Sequence, residues 1–281
     1  MNEFLQSTID QALKPCTEIK RQLIAANVQL VKYAQDLNLL HKSEKQSHQK
    51  FVEVNSQLQA YAKDLKIVIA ASKQKTEQLE NAYCDMVFRL GLASKYKDEE
   101  TGNHIQRLSQ YSKLIAINLG WNFDDAELLA KAATMHDIGK IGIPDAILLK
   151  PGSLNATERE VMMLHPKIGA SLLEGSDSKL LQMGRDIALN HHEKWDGTGY
   201  PQELKAEEIP LVGRIVMVAD VYDALRSKRP YKSAFDHEKT LDIILKGDGR
   251  TKPEHFDPQI LELFGDLHQE FAVIYDRFVD E

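Results

Sequence analysis

The residues best suited to chemistry are two adjacent pairs, His136-Asp137 and His191-His192, the second running into Glu193-Lys194-Trp195-Asp196-Gly197-Thr198-Gly199-Tyr200-Pro201. Imidazole and carboxylate are the side chains that hold divalent metals. Neighbours on a helix diverge by roughly 100°, so His136 and Asp137 would hardly chelate one ion together. They suit a cluster instead, with Asp137 bridging two ions through its two oxygens while His136 binds one of them. His191 and His192, splayed in the same way, can reach different ions, or an ion and its surroundings. His165, followed by Pro166, ends or kinks a helix and offers another imidazole. Asp220 follows the apolar run Val216-Met217-Val218-Ala219, where a buried carboxylate without a cation is expensive. Glu100 and His104, four apart, share one helix face and can share a metal. Lys140 lies on the face of the His-Asp pair, near any bound phosphate. Taken singly, several of these have plainer explanations: a surface pair for Glu100 and His104, a hydrogen-bonded helix end for His136-Asp137, a core or capping role for His165. The chemistry rests on their convergence.

The rest of the composition narrows the function. The two cysteines, Cys16 and Cys84, are far apart and neither belongs to a CxxC pair, so any metal is held by nitrogen and oxygen. A formal charge of −7 argues against a long nucleic-acid track. A small anionic substrate remains compatible, because a metal cluster sets the charge of its own pocket. There is no apolar run long enough to span a bilayer and no signal-like N-terminus, and the cytoplasm is the expected location.

The elements that must position these residues read as all-α. All 15 glycines fall at or after Gly91, which divides the chain into residues 1–88 and 89–281. In heptads counted from Ile9, 19 of the 23 a and d positions through Met86 are apolar, the signature of a coiled coil. The exceptions are Glu44, Ser47, Ser72 and Lys75. A polar stretch, His41 to Lys50, leaves two packings open: a continuous parallel dimer, or a hairpin folded into a bundle. Either could serve dimerisation or signal input. Pro15 is expected to interrupt the first turns. Downstream, helical periodicity dominates. Asp124 with Glu127, and Thr157 with Glu160, read as capping boxes; Leu211 to Leu225 reads as an apolar helix with Asp220 and Asp223 on one face.

In series, His136-Asp137-Ile138-Gly139-Lys140, His165, His191-His192-Glu193, Trp195 to Pro201, Asp220 and Arg229-Pro230-Tyr231-Lys232 strongly resemble the HD-GYP branch of the HD-domain phosphohydrolases, over roughly residues 89–265. The resemblance implies an HD-type helical bundle that hydrolyses cyclic di-GMP to pGpG or onward to GMP in bacterial second-messenger signalling. It implies metal ligation by His136, Asp137, His165, His191, His192 and Asp220, with Asp137 bridging. Glu100 and His104 match the pair that supports a third ion in part of the family. Iron or manganese is the implied metal. Lys140, Arg229 and Lys232 match phosphate-contacting positions, with Lys140 either orienting phosphate or protonating the departing oxygen. Gly199, Tyr200 and Pro201 match the loop implicated in partner contacts, for instance with a diguanylate cyclase domain. The N-terminal helices would make the protein a homodimer.

Asp223 and Glu193 are candidates for orienting imidazoles or metal waters, with ordinary surface carboxylates as the alternative. Trp195 and Tyr200 read either as guanine-stacking groups or as loop anchors. Three positions depart from the family pattern: Glu203 and Ala206 stand where glycines are usual, and Arg226 where a small or hydroxyl residue is common. Two other functions stay open on these residues, a cyclic di-GMP receptor without turnover and an HD phosphohydrolase acting on another nucleotide.

Overall fold

The computed structural model describes residues 2–96, 102–227 and 234–278. Among them there are helices and turns but no strand. Two compact units emerge, Met1–Gln78 and Leu79–Glu281.

Helix α1 runs from Asn2 to Tyr96, through Pro15 and without a break at His41 to Lys50. The hairpin packing is therefore not adopted: no glycine interrupts the segment, and its polar stretch is built of good helix formers. In the first unit every described side chain is exposed, including Leu37, Leu40, Leu58 and Leu65 at 58–67%.

The second unit begins inside α1. Val87 is buried in its core and Cys84 packs against that core, so the unit boundary falls before the composition boundary at Gly91. Then follow α2 (Gly102–Asn118), α3 (Phe123–Ala133), α4 (Asp145–Leu148), α5 (Ala156–Met162), α6 (His165–Leu173), α7 (Lys179–Asn190), α8 (Leu211–Arg226), α9 (His237–Lys246), α10 (Pro258–Asp266) and α11 (His268–Arg277). The helix starts slide from the expected boxes. Asn122 caps α3 by accepting from the Asp125 amide, and Asn155 with Glu158 forms the reciprocal box of α5. In both places an asparagine two residues earlier offers its oxygen first. Likewise His165-Pro166 starts α6 rather than ending a helix, since proline fits a first turn that needs no amide donor.

The core that carries the site lies between α2, α3, α7 and α8. Ala126, Ala130, Ala132 and Ala133 let α3 approach its neighbours closely, while Leu108, Ile115, Leu129, Ile187 and Ile215 fill the centre, each worth about 1.5–3 kcal/mol. Tyr111, Tyr222, Phe264 and Phe271 close the end near α10 and α11, the Tyr111 and Phe271 rings stacked at 4.5 Å. Helix α8 is apolar almost all round and correspondingly buried, and Asp220 and Asp223 interrupt it on one face.

Candidate metal centre

His136, His165 and His191 sit where a helix begins or ends, which frees backbone carbonyls to hold their imidazoles, whereas Asp220 projects from the middle of α8. After α3, a turn carries His136 and Asp137 into the short 3-10 helix Ile138–Gly142. His136, fully buried, donates from Nδ1 to the Ala133 carbonyl at 3.0 Å. At the start of α6, His165 Nδ1 donates to Met162 at 2.8 Å; beyond α7, His191 Nδ1 donates to Ala188 at 3.0 Å. A carbonyl only accepts, so each Nδ1 carries a proton, and Nε2 is the atom left to ligate. Those three Nε2 atoms are turned toward one carboxylate.

That carboxylate is Asp137. Its Oδ1 lies 3.3 Å from His165 Nε2 and 3.6 Å from His191 Nε2, while Oδ2 lies 3.0 Å from His136 Nε2 and 2.9 Å from Lys140 Nζ. Asp137, His165, His191 and His192 form one group whose ligand atoms lie within 4.8 Å of one another; His104, His136 and Asp220 form a second. The groups abut, with the His136 ring centroid 5.2 Å from His191 and 5.4 Å from His104. Adjacent residues diverging from one turn thus face two different groups. The donor set, imidazoles with few carboxylates, fits two borderline divalent ions. Burial pushes the His165 imidazole down to about 4, which keeps it neutral and able to ligate at ordinary pH.

Glycine makes the geometry attainable. A Cβ on Gly139 would collide with the His165 carbonyl and the Gly169 amide, so the turn carrying Asp137 lies directly against the start of α6.

Behind the second group Asp223 orients an imidazole, as the sequence allowed, and is itself held by Arg107, which the sequence reading missed. His104 Nδ1 lies 2.7 Å from Asp223 Oδ2, and Asp223 is gripped by the fully buried Arg107. Burial alone would raise the Asp223 carboxyl, but hydrogen bonds and charge from His104 and Arg107 outweigh it and hold it below its usual range. Arg107 also donates to the Phe278 carbonyl at 2.6 Å and to Ser227 Oγ at 3.1 Å. Its spacing was the available signal: it follows His104 by one helical turn on α2.

The loop after His192 is pinned by Glu193, whose carboxylate accepts from the amides of Gln202 at 2.7 Å and Leu204 at 3.1 Å. Glu193 therefore orders the loop rather than an imidazole, and burial raises its carboxyl. Tyr200 stacks on His192 at 4.7 Å, and Gly199 passes against Glu193 and Lys194 with no room for a side chain. Trp195 lies under Arg214 at 5.5 Å, a loop anchor. Glu203 and Ala206, at the two usual glycine positions, have φ of 58° and 53°. Arg226 points instead to Tyr275, 4.2 Å from its ring centroid. Glu100, Arg229 and Lys232 lie outside the described residues.

The HD-domain family pattern matches residues 45–260, most of the chain, and reaches well into α1. The chain belongs to the HD-domain family. Its Gly199-Tyr200-Pro201 loop beside the histidines marks it as an HD-GYP protein. It is 45% identical over 208 residues to a cyclic di-GMP phosphodiesterase of Vibrio cholerae, an alignment covering 69% of this chain and 41% of that one. A cyclic di-GMP phosphodiesterase of Thermotoga maritima is 43% identical over 209 residues, covering 73% and 56%. A 3'3'-cGAMP-specific phosphodiesterase of Vibrio cholerae is 40% identical over 190 residues, covering 68% and 36%. The chain spans about half the length of the curated relatives it matches. No described helix of this HD-GYP chain is long and apolar enough to cross a membrane.

Proposed function

We propose that this HD-GYP protein is a metal-dependent phosphodiesterase that opens cyclic di-GMP to pGpG, or onward to GMP. The observation that carries the reading is the placement of Asp137, one oxygen toward His165 and His191, the other toward His136 and Lys140. When bound, a divalent metal pair supplies polarisation of the phosphoryl group and a water acidic enough to attack near neutral pH. Asp137, His165, His191 and His192 would hold one ion, and His104, His136 and Asp220 the other, with Asp137 placed to serve both. Glu100 would complete a third position beside His104. Iron or manganese suits these imidazole and carboxylate donors.

Lys140, held by Asp137, directs its ammonium at the reacting phosphate and supplies a proton to the departing oxygen. Arg229 and Lys232, which lie outside the described residues, would with Lys140 make a cationic pocket in an acidic protein, matched to a dianionic cyclic dinucleotide. Residues 89–281 would be the hydrolase domain and residues 1–88 the dimerisation or signal-input region, operating in the cytoplasm. The open a and d face of α1 supports a homodimer, and the loop at Tyr200 is the surface for a signalling partner such as a diguanylate cyclase domain.

The deciding experiment couples anaerobic metal analysis to product chromatography with cyclic di-GMP and 3'3'-cGAMP. Linear dinucleotide released from cyclic di-GMP is expected, and Asp137→Ala should lose metal and turnover together. Binding without product in fully metal-loaded protein would make the chain a receptor. Preference for 3'3'-cGAMP would move it to the other group of its relatives. Wild-type turnover in well-folded Asp137→Ala would overturn the site.

A further inference from the structure

The coiled-coil reading expects parallel pairing, but the four polar residues in the a and d seam of α1 argue for the opposite direction. Glu44 and Lys75 lie symmetrically about the midpoint between Gln59 and Ala60, and so do Ser47 and Ser72. Glu44 and Ser72 occupy a positions, Ser47 and Lys75 d positions. In an antiparallel coiled coil, a faces d of the partner helix.

We propose that α1 associates with α1 of a second copy in antiparallel register about that midpoint. This inference rests on the homodimer reading and specifies its geometry. Glu44 then faces Lys75 of the other copy, and Ser47 faces Ser72. The layers between them are apolar on both sides: Phe51 with Val68, Val54 with Leu65, and Leu58 with Tyr61. All six of these side chains are 52–69% exposed on the isolated helix. The seam extends along α1 to Leu40 with Leu79, Leu37 with Ala82 and Tyr33 with Met86. At that end the core of the second unit takes Val87 and packs against Cys84, while Leu79 and Met86 stay more than 60% exposed. The a and d face therefore remains available beside the packed one.

The alternatives bury charge badly. A parallel, in-register dimer sets Glu44 against Glu44 and Lys75 against Lys75, like charges facing across a seam. An antiparallel shift by one heptad puts Glu44 against Val68 or Ala82 and Lys75 against Leu37 or Phe51, so each charge is desolvated without a partner. Among antiparallel registers, only the proposed one matches polar with polar and apolar with apolar in every layer from Tyr33 to Met86, and unlike the parallel dimer it sets opposite charges together. Its two Glu44–Lys75 contacts, related by the dimer axis, fix direction and register together.

Two measurements on the metal-loaded full chain test this. In sedimentation equilibrium, Glu44→Lys or Lys75→Glu alone should weaken the dimer about tenfold or more, and the double reversal should restore it. A parallel dimer exchanges one like-charge contact for another, so small effects without rescue would overturn the proposal. In the Cys16→Ser, Cys84→Ser background, a spin label at Lys42→Cys should lie ~50 Å from its counterpart, at 1.5 Å per residue along the paired helices. A separation of ~20 Å, about the width of two helices with their labels, would overturn antiparallel pairing and leave the dimer standing. A monomer at all concentrations would remove the homodimer itself, and this inference with it.

Discussion

Arg107 holds Asp223 by two hydrogen bonds, Nε to Oδ1 at 2.6 Å and Nη2 to Oδ2 at 2.9 Å, with neither side chain exposed. The same carboxylate meets His104 Nδ1, so Arg107 is a positioning residue that fixes the ring whose Nε2 lies 3.8 Å from Asp220. Removing it strands a buried charge.

Arg107→Met should therefore cost about 3–5 kcal/mol in stability, read by denaturant unfolding. Asp223→Asn keeps the shape and loses the charge that orients His104. Affinity for one of the two ions should fall ~10–100-fold while the other is retained, read by metal titration. Wild-type affinity at both positions in Asp223→Asn would exclude His104 from the ligand set.

Gly139→Ala tests the close approach of the Asp137 turn to α6. A methyl group there must push aside the backbone of His165 and Gly169, so separating Asp137 from His165. Roughly 1–3 kcal/mol of stability should be lost, and metal content should fall further than that loss explains. A variant that binds metal normally would show that the turn can yield without opening the site.

The loop offers a test of opposite sign. Glu203 and Ala206 adopt the left-handed backbone that glycine tolerates and other residues resist. Glu203→Gly and Ala206→Gly should each raise stability by up to about 1 kcal/mol, less the entropy that glycine adds to the unfolded chain. Thermal melts would show it. Destabilisation by both would mean that their side chains hold the loop more strongly than its backbone strains it.

The donors were legible because metal chemistry restricts residue type: few roles other than ligation call for His136-Asp137, His165 and His191-His192 in one chain. What escaped was carried by single residues of ordinary type. One helical turn from His104 is the only local mark of Arg107, and it does not reveal the partner Asp223, more than a hundred residues away. Glu193 reads equally as a second carboxylate for the metals until Gln202 and Leu204 fold back onto it. Helix starts were misplaced for a different reason. Asn122 and Asp124 both stand at the start of α3 with plausible spacing, and only backbone geometry determines which oxygen reaches an amide. The run through His41 to Lys50 was ambiguous because polarity there weakens the seam without ending the helix.

Acid sensitivity of the metal-free protein follows from the buried imidazoles. Burial lowers His165 to about 4, and lowers His192, His237 and His255 as well, from an unfolded value near 6.5. As pH falls, the unfolded chain takes up these protons first, so stability is full above about 6.5 and drains away as pH drops toward 4. His165 alone accounts for a loss on the order of 3 kcal/mol across that window. Glu193 acts in the opposite direction, its raised carboxyl protonating earlier in the folded state, but it is one group against four. Asp223, held low by Arg107 and His104, stays ionised throughout. Urea midpoints of metal-free protein should decline steadily between pH 6.5 and 4, and His165→Gln should flatten the slope. A flat profile in the wild type would mean that these imidazoles are already protonated in the fold, and the lone pairs assigned to the metal centre would not exist.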